Sequence, residues 1–157
     1  MAVINQGICV PRRTVNNAPV EIFMGKEAAS QSFKKGEPVY LVSGLVAICG
    51  ADPAAILGIA DADASGVTGA PIPVVKANGA TLFCANIYHS TPASAVTAQA
   101  DVGTSYGIIV VSNKLYVDKE ETVATRAQVI GLDSRDAVGD QYGRVLFKFL
   151  VANRQLI

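Results

Sequence analysis

From Val20 onward, short apolar runs alternate with breaks rich in Gly, Pro, Asp and Ser. Val20–Met24 is a first run and stops at Gly25. Residues 26–35 are polar and leave room for one helical turn. Gly36-Glu37-Pro38 then opens Val39–Val42, and Ser43-Gly44 separates it from Leu45–Cys49. Two β-rich runs split by such a pair predict a hairpin. Ile56–Ala60, Ile72–Lys76 and Ala80–Tyr88 follow as further strands. A second hairpin is predicted at Tyr106–Val111 and Lys114–Asp118, turning at Ser112-Asn113, before Val129–Asp133 and Arg144–Val151 close the chain. About ten strands at hairpin-like spacing favour an all-β sandwich or small barrel over βαβ units, whose long helical periods are absent.

Residues 1–20 carry two prolines and a pair of Asn with no sustained period. They read as an extended N-terminal arm, docked on a neighbour, or as an irregular first strand. The expected organisation is this segment followed by a single β-domain over residues 21–157.

One stretch echoes another. Leu57–Gly66 aligns without gaps on Ile130–Gly139, with Gly, Asp, Ala and Gly in common, and each follows an apolar hairpin. Two readings stand: related hairpin-plus-strand units forming halves of one barrel, or coincidence among simple strands.

Composition narrows the function classes. Half of the 157 residues are hydrophobic, while 17% are charged, below the roughly 25% of an average soluble domain. So little charge leaves apolar surface that neighbouring subunits would cover. Net charge is zero, and Arg12-Arg13 and Lys34-Lys35 are isolated pairs. Nucleic acid as a partner needs a concentrated basic surface, so none is expected. No run approaches the length of a membrane span, and Met1–Val10 has no basic start, so neither a membrane nor a signal peptide is expected. The chain reads as made and kept in the cytosol. Cys9, Cys49 and Cys84 sit among apolar residues without Cys-x-x-Cys spacing and read as small buried thiols.

Candidate chemistry is sparse. Asp61-Ala62-Asp63-Ala64-Ser65-Gly66 opens like a calcium loop, but Ile72 stands where the twelfth-position Glu belongs. A turn of Asp, Ser and Gly between strands explains the same residues, as it does Asp52, Asp133 and Asp136. Gly103-Thr104-Ser105-Tyr106-Gly107 has the spacing of a nucleophile elbow, but a strand follows where a helix is required. His89, the single histidine, precedes it. A triad of His89, Asp101 and Ser105 would crowd into one loop region, and geometry, not order, defines a triad. No catalytic, cofactor-binding or metal-binding residue is therefore assigned. The alternative is a small-barrel enzyme or metal-binding module using His89 with Ser105 or the Asp61–Ser65 loop.

The order of Phe33–Leu41, Asp52–Ala60, Tyr106-Gly107, Leu115–Asp118, Val129–Asp133, Asp136–Gly139 and Gly143–Phe149 resembles the capsid decoration, or cement, proteins of tailed bacteriophages. The likeness spans residues 33 to 150. It implies a small tulip-like β-barrel, a homotrimer, and a place on the outside of a shell of major capsid protein, in a virion assembled in a host cytoplasm. It implies no catalytic residues and no cofactor. A fibre or adhesion module is a third reading and would require export.

Overall fold

The computed structural model describes residues 1–156, in eleven strands and three single turns of 3-10 helix. The strands are β1 (Val10–Thr14), β2 (Ile22–Lys26), β3 (Pro38–Val42), β4 (Leu45–Ile48), β5 (Gly58–Ala60), β6 (Pro71–Lys76), β7 (Thr81–Tyr88), β8 (Ser105–Val111), β9 (Lys114–Asp118), β10 (Ala127–Leu132) and β11 (Arg144–Phe149). The all-β expectation holds, and ten of these strands lie where the apolar runs predict them. The helical turn expected within residues 26–35 does not form. Glu27 instead continues β2 into a parallel bridge with Val46 of β4.

Both hairpins turn on two residues with positive φ: Ser43 (50°) and Gly44 (78°), then Ser112 (50°) and Asn113 (61°). That is the backbone twist which lets a two-residue loop join antiparallel strands. The pairs Val42–Leu45 and Val111–Lys114 close the two loops.

The strands fall into two five-strand units with one topology. In the first, the order across the sheet is β2-β6-β5-β3-β4; in the second it is β7-β11-β10-β8-β9. Numbered within its unit, each reads 1-5-4-2-3. Each also joins its first strand to its third in parallel. The second unit does so through Asn86–Tyr116, Ile87–Val117 and Tyr88–Asp118, closing a barrel. The first does so through the Glu27–Val46 bridge, with the Ala28 N–H donating to the Val46 carbonyl at 2.9 Å. The sequence echo falls on the fourth strand of each unit and the loop after it. Gly66 and Gly139, aligned in that echo, both have positive φ, 80° and 91°. The expectation of two halves of one barrel is corrected, since each unit wraps on itself.

The units share a wall. Leu57, Ala60, Ile72 and Val74 point into the first unit with Phe33, Val39 and Val46. Their strand neighbours Ile56, Ile59 and Val75 point the other way, into a core containing Phe83, Phe147 and Phe149. Alternation, broken once at Gly58 so that Leu57 and Ile59 face opposite ways, sends successive side chains to opposite faces, so a strand buried on both faces needs an unbroken apolar run. This is why Ile56–Ala60 and Val74-Val75 carry no polar residue. Phe83 and Phe147 each meet Phe149 edge-on at 5.3 Å, and burial of each ring contributes about 2 kcal/mol. Gly58 sits where a Cβ would lie 1.9 Å from the Val75 carbonyl oxygen, so no larger residue fits.

Residues 1–20 bond to their own chain, and Val10–Thr14 form a strand, the second of the two expectations. β1 runs antiparallel to β7, from Val10 opposite Cys84 to Thr14 opposite Thr81. Upstream, the Ile4 N–H donates to the Gln141 carbonyl and the Gln141 N–H to the Ala2 carbonyl, each at 2.8 Å. The Tyr116 hydroxyl donates to the Gln6 side chain at 2.7 Å. These bonds satisfy backbone that an unstructured segment would leave to water.

Candidate functional site

The structure gives His89 and Asp101 partners other than Ser105. His89 lies just beyond β7, its Nδ1 accepting from the Thr91 N–H at 3.0 Å and standing 3.7 Å from a Glu120 carboxylate oxygen. Asp101 is buried. It accepts from the Tyr106 hydroxyl at 2.8 Å and the Ala98 N–H at 2.7 Å, and pairs with Lys119 at 2.9 Å. Ser105 begins β8, opposite Gln128 of β10. Among the described residues no hydrogen bond joins His89 to Ser105 or Asp101. Tyr106, not Ser105, is the partner of Asp101. Burial first, then that carboxylate, pushes the Tyr106 phenol up to about 12.

The Asp61–Ser65 loop is organised by cations and by one buried carboxylate. Asp61 stands 3.2 Å from the Lys35 ammonium and Asp63 stands 3.6 Å from that of Lys34. Asp63 also accepts from the Lys35 N–H at 2.8 Å. The Ser65 hydroxyl and N–H donate to Glu27 at 2.6 and 2.9 Å, and the Gly66 N–H donates to it at 3.1 Å. Glu27 is 1% exposed. Burial pulls its carboxyl upward, but the bonds from Ser65 and Gly66 outweigh burial and hold it below the ordinary range. Among the described residues, no three His, Cys, Asp or Glu side chains gather as a metal site would require. Glu27 gave no signal in the sequence, because it lies in a polar stretch that offers only a helical turn.

A second buried polar group lies in the corresponding loop of the other unit. Asp133 is 4% exposed and receives the Arg135 side chain, while Cys84 donates its thiol to it at 3.3 Å. Asp136 pairs with Arg144 of β11. The Arg135 hydrogen bonds overcome burial and hold Asp133 well below the usual carboxylate range; Arg144 lowers Asp136 in the same way. Burial pushes the Cys84 thiol up to about 11, and Cys9, Cys49 and Cys84 are all buried and free. Raised thiols are poor nucleophiles. Asp133 and Asp136 were expected only as turn residues; they also anchor the loop that leads into β11.

A groove of about 570 Å³ runs between the N-terminal segment and the β8–β9 hairpin, lined by Val3, Ile4, Gln6, Val111, Lys114 and Tyr116. None of His89, Asp101, Ser105, Asp61 or Asp63 lines it. No helix among the described residues is long and apolar enough to cross a membrane. The chain matches no family model, no curated protein and no solved structure.

Proposed function

We propose that this chain is a structural virion protein that binds the outside of a tailed-phage capsid and stabilises its shell of major capsid protein, without catalysing a reaction. The observation that carries the reading is the surface. Val123 is 91% exposed, Met24 and Val67 each 62%, and Val138 59%. Isolated exposed apolar residues are ordinary, but in a chain this poor in charge they are the groups a neighbouring protein covers. The sequence resemblance supplies the kind of neighbour and the homotrimer. The polar clusters support the reading in a second way: their carboxylates are engaged in holding loops, which suits a part whose work is to keep its shape.

Cosedimentation tests it. Purified chain is mixed with tailed-phage capsids stripped of their decoration protein, then spun and assayed for bound chain and for resistance of the shell to heat. Saturable binding with a raised disruption temperature is expected. Absence of binding to such shells, or a turnover activity lost on His89→Ala or Ser105→Ala, overturns the proposal.

A further inference from the structure

One outward face of the second unit gathers most of the free positive charge of the chain. Of the 13 Lys and Arg side chains, all but four bond to an acceptor or pair with a carboxylate. The four are Arg12, Arg13, Lys26 and Lys148, whose side chains have no such partner among the described residues. Three of them, Arg12, Arg13 and Lys148, line adjoining grooves on the β1-β7-β11-β10 sheet.

The register explains the gathering. Phe83 and Phe147 pair across β7 and β11 and point into the core. Alternation turns their neighbours Leu82, Leu146 and Lys148 to the outer face. Arg13 of β1 stands opposite Leu82, and Lys148 of β11 stands opposite Gln128 of β10. Arg13 and Lys148 therefore flank Leu82 from the two strands beside β7, two strand spacings or about 10 Å apart. A groove of about 530 Å³ runs between them over Leu82 and Ile130. A second, of about 360 Å³, continues past Arg12 and Arg13 over Leu132 and Leu146. Asp133 is the one carboxylate among the described residues lining either groove, and Arg135 holds it.

Free cations over an aliphatic floor select the chemistry of what covers them. An uncharged partner would strip water from Arg13 and Lys148 and leave both charges unpaired, which is costly. Neither groove has an aromatic side chain on which a base could stack, and three cations do not make a phosphate-tracking stripe. Addition of a strand beside β1 is blocked, because that edge carries Pro11 and a break in register. The occupant therefore lies across the face.

We propose that this face docks an acidic segment of a partner protein, with carboxylates on Arg13 and Lys148 and apolar side chains over Leu82 and Ile130. The proposal rests on the virion reading, in which the partner is the major capsid protein. Carboxylates two or three positions apart on an extended chain are separated by about 7–10 Å and span the two cations.

Cosedimentation with stripped tailed-phage capsids, repeated across a salt series, tests it. Binding of the parent chain should weaken as salt rises, because salt screens exposed charges. Arg13→Glu and Lys148→Glu should each weaken binding by about tenfold, and together by about a hundredfold. Neither side chain has a partner to lose, so melting should not change, and the neutral pair Arg13→Gln with Lys148→Gln should give the same loss in smaller measure. Lys26→Glu, which reverses the remaining free cation on β2 of the other unit, should leave binding as it is. Shells that hold the parent and the double variant equally, or that lose Lys26→Glu as readily, overturn the proposal and leave the virion reading standing. Tight binding to a short DNA duplex, abolished by the reversals while capsid binding persists, overturns it in favour of nucleic acid. Shells that take up no chain at all overturn the virion reading, and this contact with it.

Discussion

Glu27, at the end of β2, takes both donors of Ser65 on one carboxylate oxygen, the hydroxyl at 2.6 Å and the N–H at 2.9 Å. The residue that bridges β4 to close the first unit also fixes the loop between β5 and β6. Replacing it with Ala removes the acceptor of the Ser65 and Gly66 donors, whose residues are exposed and turn to water. A hydrogen bond to a charged group contributes about 1.5–3 kcal/mol, so Glu27→Ala should lower stability by about 2 kcal/mol in urea unfolding. Glu27→Gln should cost less, because the amide oxygen still accepts. Equal stability of Glu27→Ala and the parent would show that water takes over the role.

Acid should weaken the whole chain through the carboxylates of Asp133 and Asp136. Asp133 and Asp136 are held below the ordinary carboxylate range by Arg135 and Arg144. A carboxyl depressed in the folded chain binds its proton more weakly there than in the unfolded chain. The stability it confers is present above about pH 4, the unfolded value, and is lost as pH falls toward the lower native value. Melting temperature should therefore drop between about pH 5 and pH 2. Asp133→Asn should flatten that decline and cost about 1–2 kcal/mol at pH 7. A melting curve as steep in the variant as in the parent would place the acid sensitivity elsewhere.

Calcium should not bind tightly at Asp61–Gly66. The carboxylates of Asp61 and Asp63 lie against Lys35 and Lys34, and no bidentate Glu stands at the twelfth position of the loop. Calorimetric titration should give no micromolar heat. Such a heat, abolished by Asp61→Ala, would mean that the lysines move aside.

His89→Ala should leave capsid retention unchanged and shift stability by less than about 1 kcal/mol, since the Glu120 carboxylate beside it is a surface group. Glu120 keeps its bonds from the Ser90 N–H and hydroxyl, each at 2.7 Å. Lost retention with normal melting would assign His89 a role at the binding surface.

The strands were legible because burial on one or both faces writes directly into the apolar pattern, as in Ile56–Ala60 and Lys114–Asp118. The two hairpins were legible because Ser-Gly and Ser-Asn suit positive φ. The echo at Gly58 and Gly131 pointed to the duplication, but its extent was hidden. The first strand of each unit, β2 or β7, pairs with strands distant in sequence, and no local pattern records that pairing. The N-terminal segment was ambiguous because its order comes from Gln141, Asn86 and Tyr116, far along the chain. The buried polar clusters were not legible. Asp133 looks like any turn Asp until the fold places Cys84 and Arg135 beside it.

The wall shared by the two units ties their melting together. Ile59 and Val75 are 1% and 2% exposed, and parting the units would open that seam to water along with the rings packed near it. At about 25 cal/mol for each Å² of apolar surface uncovered, the interface penalises any state in which one barrel survives alone. The duplication therefore does not yield two beads on a string. It yields one cooperative body, expected to give a single calorimetric peak, and a cavity-forming change at the seam such as Val75→Ala should lower that peak without splitting it.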